Sequence, residues 1–321
     1  MLCPGACQRI PTNTLPTTRI FLVAAANGGP HVAGRNSDSV SACTRPEIGG
    51  LVLIDTASLR PVIADRGGCG VAERAMNDVS PVMHLDRFAT VSTFQGARHH
   101  PETIRAIAAD SVAMANAARA IVSMAAFVGS RIMIDFQGVV PNDLPAVVET
   151  VRAISAVGAR LGTGRPLAIV LPPGDTVSYP TEVLARVADL LVLRLHGEHR
   201  PGTAPGPLTT PEFIAREIGL RARQVGTNRL VAELALFGYR WNRDGTATMV
   251  TYAESQALVL AEAGVFRRHP PSQFLTATSR DGWTIWVPDA VTVDAMIAAV
   301  RRRGVSQVVL AGAWGAPRGN R

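Results

Sequence analysis

The chain has 321 residues, 47% of them hydrophobic, and a formal charge of +7, which is enough for a large core within one barrel-sized domain. All 32 basic residues are arginine, and without a lysine amine there is no Schiff-base aldolase, no pyridoxal phosphate enzyme and no Walker-type phosphate loop. The arginines are scattered, and the longest run, Arg301-Arg302-Arg303, closes a predicted helix beside its negative dipole end. The positive balance therefore reads as compositional bias and not as a nucleic-acid or membrane-surface footprint.

The segment Met1 to Leu15 has no charged start followed by an apolar stretch, and no window is long enough to span a bilayer. Residues 1–17 are expected to form an irregular lead and residues 18–317 one domain. Cys3, Cys7, Cys43 and Cys69 have no zinc-ligand spacing, and whether Cys3 and Cys7 form a disulfide or stay as thiols is open. No cofactor or metal is expected.

From Arg19 onward, short apolar runs alternate with helical patterns, the signature of parallel βα units. The predicted strands are Arg19–Ala25, Gly50–Asp55, Ser80–Leu85, Arg131–Phe136, Leu167–Leu171, Leu190–Leu195, Leu230–Leu236 and Gln307–Ala311. Eight such strands predict an α/β fold, a single (β/α)8 TIM barrel. Residues 31–76 are less regular and predict long loops or a small added hairpin around Pro61–Ala64. Helices are predicted at Pro101–Ala126, Leu144–Leu161, Thr181–Ala188, Pro211–Val225, Tyr252–Ala263 and Thr292–Arg303. Before the last of these, Phe274–Thr278 and Trp283–Val287 flank a Ser-Arg-Asp-Gly turn and predict an inserted hairpin.

Barrels carry their chemistry at the C-terminal ends of strands. In Ser130-Arg131-Ile132-Met133-Ile134-Asp135-Phe136-Gln137, a period of two sends Met133, Asp135 and Gln137 to one face and Ile132, Ile134 and Phe136 to the other. With the apolar set against the helices, Asp135 and Gln137 point into the barrel. The same reading points Arg194, His196 and Glu233 inward. A charge network of Arg194 with Asp135 or Glu233 fits the need of buried charges for partners; a relocated general acid at Glu233 or His196 is the functional alternative. His84, at the end of the third predicted strand, and Glu198 are further candidates, whereas His99, His100 and His199 read as exposed loop residues.

The Ser130–Gln137 segment resembles the fourth-strand Asp-Gly-x-Asp-x-Asp-Phe/Trp-Glu motif of glycoside hydrolase family 18, the chitinase family. Asp135 falls on its last aspartate, Gln137 on the proton-donating glutamate, Met133 on the middle aspartate and Ser130 on the first. Three more segments agree in order. Leu193–Gly197 resembles the sixth-strand Met-x-Tyr-Asp, with His196 for the tyrosine and Gly197 for the aspartate. Leu236–Trp241 resembles Tyr-Gly-Tyr-Asp-Trp, and Val308–Trp314 resembles the closing strand, with Trp314 at the tryptophan that floors the sugar site.

The resemblance implies an oligosaccharide or polysaccharide partner containing N-acetylglucosamine, of chitin or peptidoglycan type, and an extracellular or cell-envelope location. Asp135, Gln137 and, from the residues, Glu233 stand as catalytic-site positions; His196, Tyr239, Trp241 and Trp314 stand as sugar-binding positions. In that family a glutamic acid protonates the leaving oxygen while the substrate's acetamido carbonyl attacks the anomeric carbon. A glutamine amide has no titratable proton, and losing a general acid costs on the order of 100- to 10,000-fold. The expectation is a glycan-binding barrel with weak or no hydrolysis; an active hydrolase with a relocated acid and a barrel that no longer sees sugar are the alternatives.

Overall fold

The computed structural model describes residues 19–24, 51–54, 61–65, 85–95, 98–127, 131–162 and 166–312. The expected N-terminal lead, the four cysteines, His84, Ser130 and Trp314 lie outside the described residues.

In chain order, the first strands are β1 (Arg19–Ala24), β2 (Leu51–Ile54), β3 (Pro61–Asp65) and β4 (Leu85–Ser92), followed by a two-residue-per-arm hairpin of β5 (Phe94–Gln95) and β6 (Arg98–His99). Helices α1 (Pro101–Ala109) and α2 (Ser111–Phe127) lead to β7 (Arg131–Asp135), α3 (Leu144–Arg160), β8 (Leu167–Leu171), α4 (Thr181–Leu184) and β9 (Leu190–Arg194). Next come α5 (Pro211–Val225) and β10 (Leu230–Ala235), then β11 (Gly238–Trp241), β12 (Ala247–Val250), α6 (Tyr252–Ala261), β13 (Arg267–Arg268), β14 (Leu275–Thr278) and β15 (Thr284–Val287). Helix α7 (Ala290–Arg302) and β16 (Gln307–Gly312) end the described chain.

Parallel pairing runs β1-β16-β10-β9-β8-β7-β4 and returns from β4 to β1, closing a curled sheet. β2 adds a parallel strand along the upper part of β4 and pairs antiparallel with β3. This is an α/β barrel as the strand pattern predicts, but among the described residues seven strands close the ring, not the expected eight, because the expected second strand, β2, pairs with β4 and β3 beside it; the added hairpin is present at Pro61–Asp65. The third parallel run of the described chain is Leu85–Ser92, which meets the expected Ser80–Leu85 at Leu85; Ser80–His84 lie outside the described residues. Phe88, Thr90 and Ser92 alternate with Ala89 and Val91 as a barrel strand requires.

The alternation separates two cores. Phe88, Met133, Ala168, Val170, Val192, Val231 and Val309 fill the barrel interior. Ile134, Phe136, Ile169, Leu171, Leu191, Leu193, Leu234 and Leu310 face outward and pack with helix residues such as Ile104, Ile121, Val151, Ile214 and Ile297. The helix expected across Pro101–Ala126 is interrupted at Asp110, whose extended backbone ends α1 and whose Oδ1 accepts the N–H groups of Val112 and Ala113 at the start of α2; the cap competes with helix continuation.

The expected hairpin near the end is present as β14 and β15 but belongs to a larger unit. β12, β11, β15, β14 and β13 form a five-stranded antiparallel sheet. One of its faces packs Leu275, Ala277, Ile285 and Val287 with Val259 of α6. Asp289 fastens it to the barrel by capping α7 at Thr292 N (3.0 Å) and pairing with Arg268.

Candidate functional site

The inward positions at the C-terminal ends of β7, β9 and β10 bring Asp135, Arg194 and Glu233 together. Glu233 stands beside Arg194 in the parallel register, and each guanidinium edge finds a carboxylate: Nη2 to Asp135 Oδ2 at 2.9 Å and Nε to Glu233 Oε1 at 3.2 Å. Two residues just past the strands complete the cluster. Gln137 Nε2 donates to Asp135 Oδ1 at 2.7 Å, and His196 Nε2 meets Glu233 Oε1 at 2.7 Å. Arg194 thus bridges both carboxylates, uniting residues 59 and 39 positions away in sequence.

Electrostatics follow from burial and pairing. Burial opposes ionisation of Glu233, but the Arg194 charge and the His196 hydrogen bond outweigh it and hold the carboxyl at about 2. Burial likewise opposes charge on Arg194, and the two carboxylates raise it above the ordinary arginine value. Glu233 Oε2 is buried without a hydrogen-bond partner. The cluster opens to solvent at its upper edge, where the side chains of Asp135, Arg194 and His196 are 14%, 20% and 13% exposed.

Aromatic residues continue the wall. His196 meets Phe237 edge-on at 5.3 Å, Phe237 meets Tyr239 at 5.7 Å, and Tyr239 meets Trp241 at 5.6 Å. Tyr239 is half-buried, and burial raises its hydroxyl pKa. Trp241 is 2% exposed and belongs to the outer core, so it supports Tyr239 from within. Across the insertion sheet Tyr239 pairs with Trp286, which in turn touches His269 at 5.2 Å.

Three residues of the site escaped the sequence reading. His99, expected as an exposed loop residue, sits half-buried on the β5–β6 hairpin above β4, with Nδ1 buried and unpartnered and its ring against Phe94 at 5.0 Å. Burial lowers its pKa, the Arg194 and His100 charges add to this, and Asp135 opposes it. Tyr179, in the loop after β8, donates its hydroxyl to Phe136 O (2.7 Å) and accepts from Val139 N (3.2 Å), bracketing the backbone that presents Gln137; burial pushes that hydroxyl up to about 12. Arg221 of α5, 1% exposed, grips the same loop through Tyr179 O (2.6 Å), Thr181 Oγ1 (3.0 Å) and Asp175 O (2.6 Å). One turn earlier, Glu217 Oε2 accepts Gly174 N at 2.8 Å. Residence in loops following barrel strands was the available signal for His99 and Tyr179.

The weaker candidates take structural places. Glu198 accepts from Thr210 Oγ1 at 2.8 Å, and His199 Nδ1 lies 2.9 Å from Ala204 O. Trp283 Nε1 donates to Glu262 on the far sheet surface. Among the described residues there is no metal-holding group of three His, Cys, Asp or Glu side chains, and no helix is long and apolar enough to cross a membrane.

A parallel α/β barrel carrying an antiparallel sheet between its last two strands, with its polar cluster at the strand ends, is a chitinase-like family 18 fold. Among solved structures it is similar to a chitinase from Chromobacterium violaceum (16% identity, TM-score 0.66, covering 92% of this chain and 93% of that one). It is similar also to the spore cortex-lytic enzyme SleL of Bacillus cereus (15%, 0.64, 82% and 62%). A third is a glutamate-to-glutamine mutant of a class V chitinase from Nicotiana tobaccum in complex with NAG4 (15%, 0.61, 81% and 85%). No protein-family model and no curated protein matches the sequence.

Proposed function

We propose that the barrel mouth binds glycans containing N-acetylglucosamine, of chitin or peptidoglycan type, with little or no hydrolysis. The observation that carries this reading is the Gln137 amide donating to Asp135 at the mouth of the barrel. The pair keeps the acceptor geometry of a sugar site while lacking the proton that glycosidic cleavage requires. Asp135, Gln137, His196 and Tyr239 make the floor and near wall, with Trp241 behind Tyr239 and Trp314 assigned to the sugar floor by its motif. A class V chitinase of the same fold takes NAG4, which makes that tetramer the natural probe.

Glu233 does not restore the missing acid. A carboxyl held at about 2 is ionised at neutral pH, the opposite of what a proton donor needs. Calorimetric titration with NAG4, paired with chromatography of the sugar after long incubation, tests the reading. Saturable binding, weakened at least about tenfold by Tyr239→Ala through loss of ring stacking, with the tetramer recovered intact, is expected. Absence of binding refutes it.

A further inference from the structure

We propose that the glycan bound here is anionic, its N-acetylhexosamine units carrying carboxylates as in peptidoglycan and unlike neutral chitin; this rests on the glycan reading above. Arg200, beside Tyr239, and Arg267, at the edge of the insertion sheet, read those carboxylates. Strand register sets the surface between them. Residues directly opposite one another in neighbouring strands share a face, so Met249, Tyr239, Trp286, Thr276 and Arg267 stand side by side across the five strands. Tyr239 continues the aromatic wall that begins at His196, so this face turns towards the barrel mouth. The first four side chains are half-buried, and Arg267 is exposed. At a strand spacing of about 4.8 Å, Arg267 lies about 14 Å from Tyr239, a span that one oligosaccharide crosses.

Arg200 comes from a loop that closes on itself directly after His196. Gly197 N and Glu198 N both donate to Leu208 O, at 2.8 and 3.1 Å. At the tip Arg200 N donates to Thr203 Oγ1 at 3.0 Å, and residues 200–204 are all exposed. The positive charge of Arg200 reaches the Tyr239 hydroxyl, which sets the tip beside that ring. Among the described residues neither the Arg200 nor the Arg267 guanidinium has an ion pair or a hydrogen bond. Nor does a carboxylate share the row, and the adjoining row of Thr278, Thr284, Trp241 and Ala247 has none. The floor carboxylates, Asp135 and Glu233, are held by Arg194 at 2.9 and 3.2 Å. Aromatic rings take sugar faces, and a guanidinium fork fits a carboxylate through two N–H groups. A neutral chain would use the rings alone; a carboxylate-bearing chain uses the rings and both cations.

Calorimetric titration of the full chain with two hexamers tests this, one of N-acetylglucosamine alone and one alternating it with peptide-free N-acetylmuramic acid. At about 0.1 M salt, screening beyond about 10 Å suppresses general attraction to the chain's +7 charge. An exposed ion pair contributes up to about fivefold in affinity, so with two of them the acidic hexamer should bind roughly tenfold more tightly. Arg200→Gln and Arg267→Gln should each lower that preference about threefold and together bring the two hexamers to parity. Arg302→Gln, exposed at the end of α7 and so at the opposite end of the barrel, should keep the preference; circular dichroism checks the fold of each variant. Equal binding of the two hexamers, a preference that survives the double variant, or one that falls as far in Arg302→Gln overturns the carboxylate assignment and leaves the glycan reading standing. Binding of neither hexamer overturns both.

Discussion

Replacing Arg194 with methionine removes the one cation that Asp135 and Glu233 share while keeping much of the side-chain volume. Breaking a buried pair from one side costs about 3–5 kcal/mol, because a charge is left without its partner. The pH dependence is the sharper signature. In the wild type the Glu233 carboxyl is lowered to about 2 from about 4.3 in the unfolded chain. Its contribution is therefore present above the unfolded value and lost as the pH falls towards the folded one, a change on the order of 3 kcal/mol. In Arg194→Met burial becomes the leading influence and raises the Glu233 pKa, so the variant's contribution from this residue is lost as the pH rises. Urea unfolding followed by tryptophan fluorescence from about pH 3 to about pH 7 should show a wild type that gains stability with pH and a variant whose deficit widens over the same interval. Parallel curves, separated by a constant amount, would refute the bridging role of Arg194.

Gln137→Glu alone should leave hydrolysis of a fluorogenic chitobioside at background: the Asp135 carboxylate, 2.7 Å from the position-137 side chain, favours a protonated carboxyl there, but Gly197 still lacks the acetamide-holding side chain. A rise above about 100-fold would contradict this. Tyr179→Phe removes the donor to Phe136 O and the acceptor for Val139 N; a stability loss of about 1–3 kcal/mol by thermal unfolding, with weaker NAG4 binding, is expected. Arg221→Met strands the carbonyls of Tyr179 and Asp175 and should destabilise by about 3 kcal/mol or more, with new proteolytic cleavage between residues 172 and 181; an unchanged cleavage pattern would rule out its role as the loop's clamp.

Where two residues of one strand were enough, the site was legible in the sequence. The alternation Ile132, Ile134, Phe136 against Met133, Asp135, Gln137 fixed which carboxyl faces the barrel, and the rule that buried charges need partners pointed Arg194 at Asp135 and Glu233. That Arg194 takes both is a matter of register between β9 and β10, which pattern alone does not give. His99 and Tyr179 were hidden because their roles depend on loop paths: the ring of His99 is carried inward by a hairpin of two-residue arms, and Tyr179 reaches a backbone 43 residues upstream. The Leu85–Ser92 strand was read only at its first residue, because the charged pair Asp86-Arg87 interrupts the apolar pattern there. The five-stranded insertion sheet was visible only as its strongest hairpin, since Arg267–Arg268 is too short and too polar to show as a strand by itself.

The most direct measurement is a crystal structure of the chain grown with NAG4. Intact sugar at the barrel mouth, contacting Asp135, Gln137 and Tyr239, is the expected result. An empty mouth at saturating NAG4, sugar bound away from these residues, or a tetramer cut at the site would contradict a glycan-binding barrel that has lost its acid.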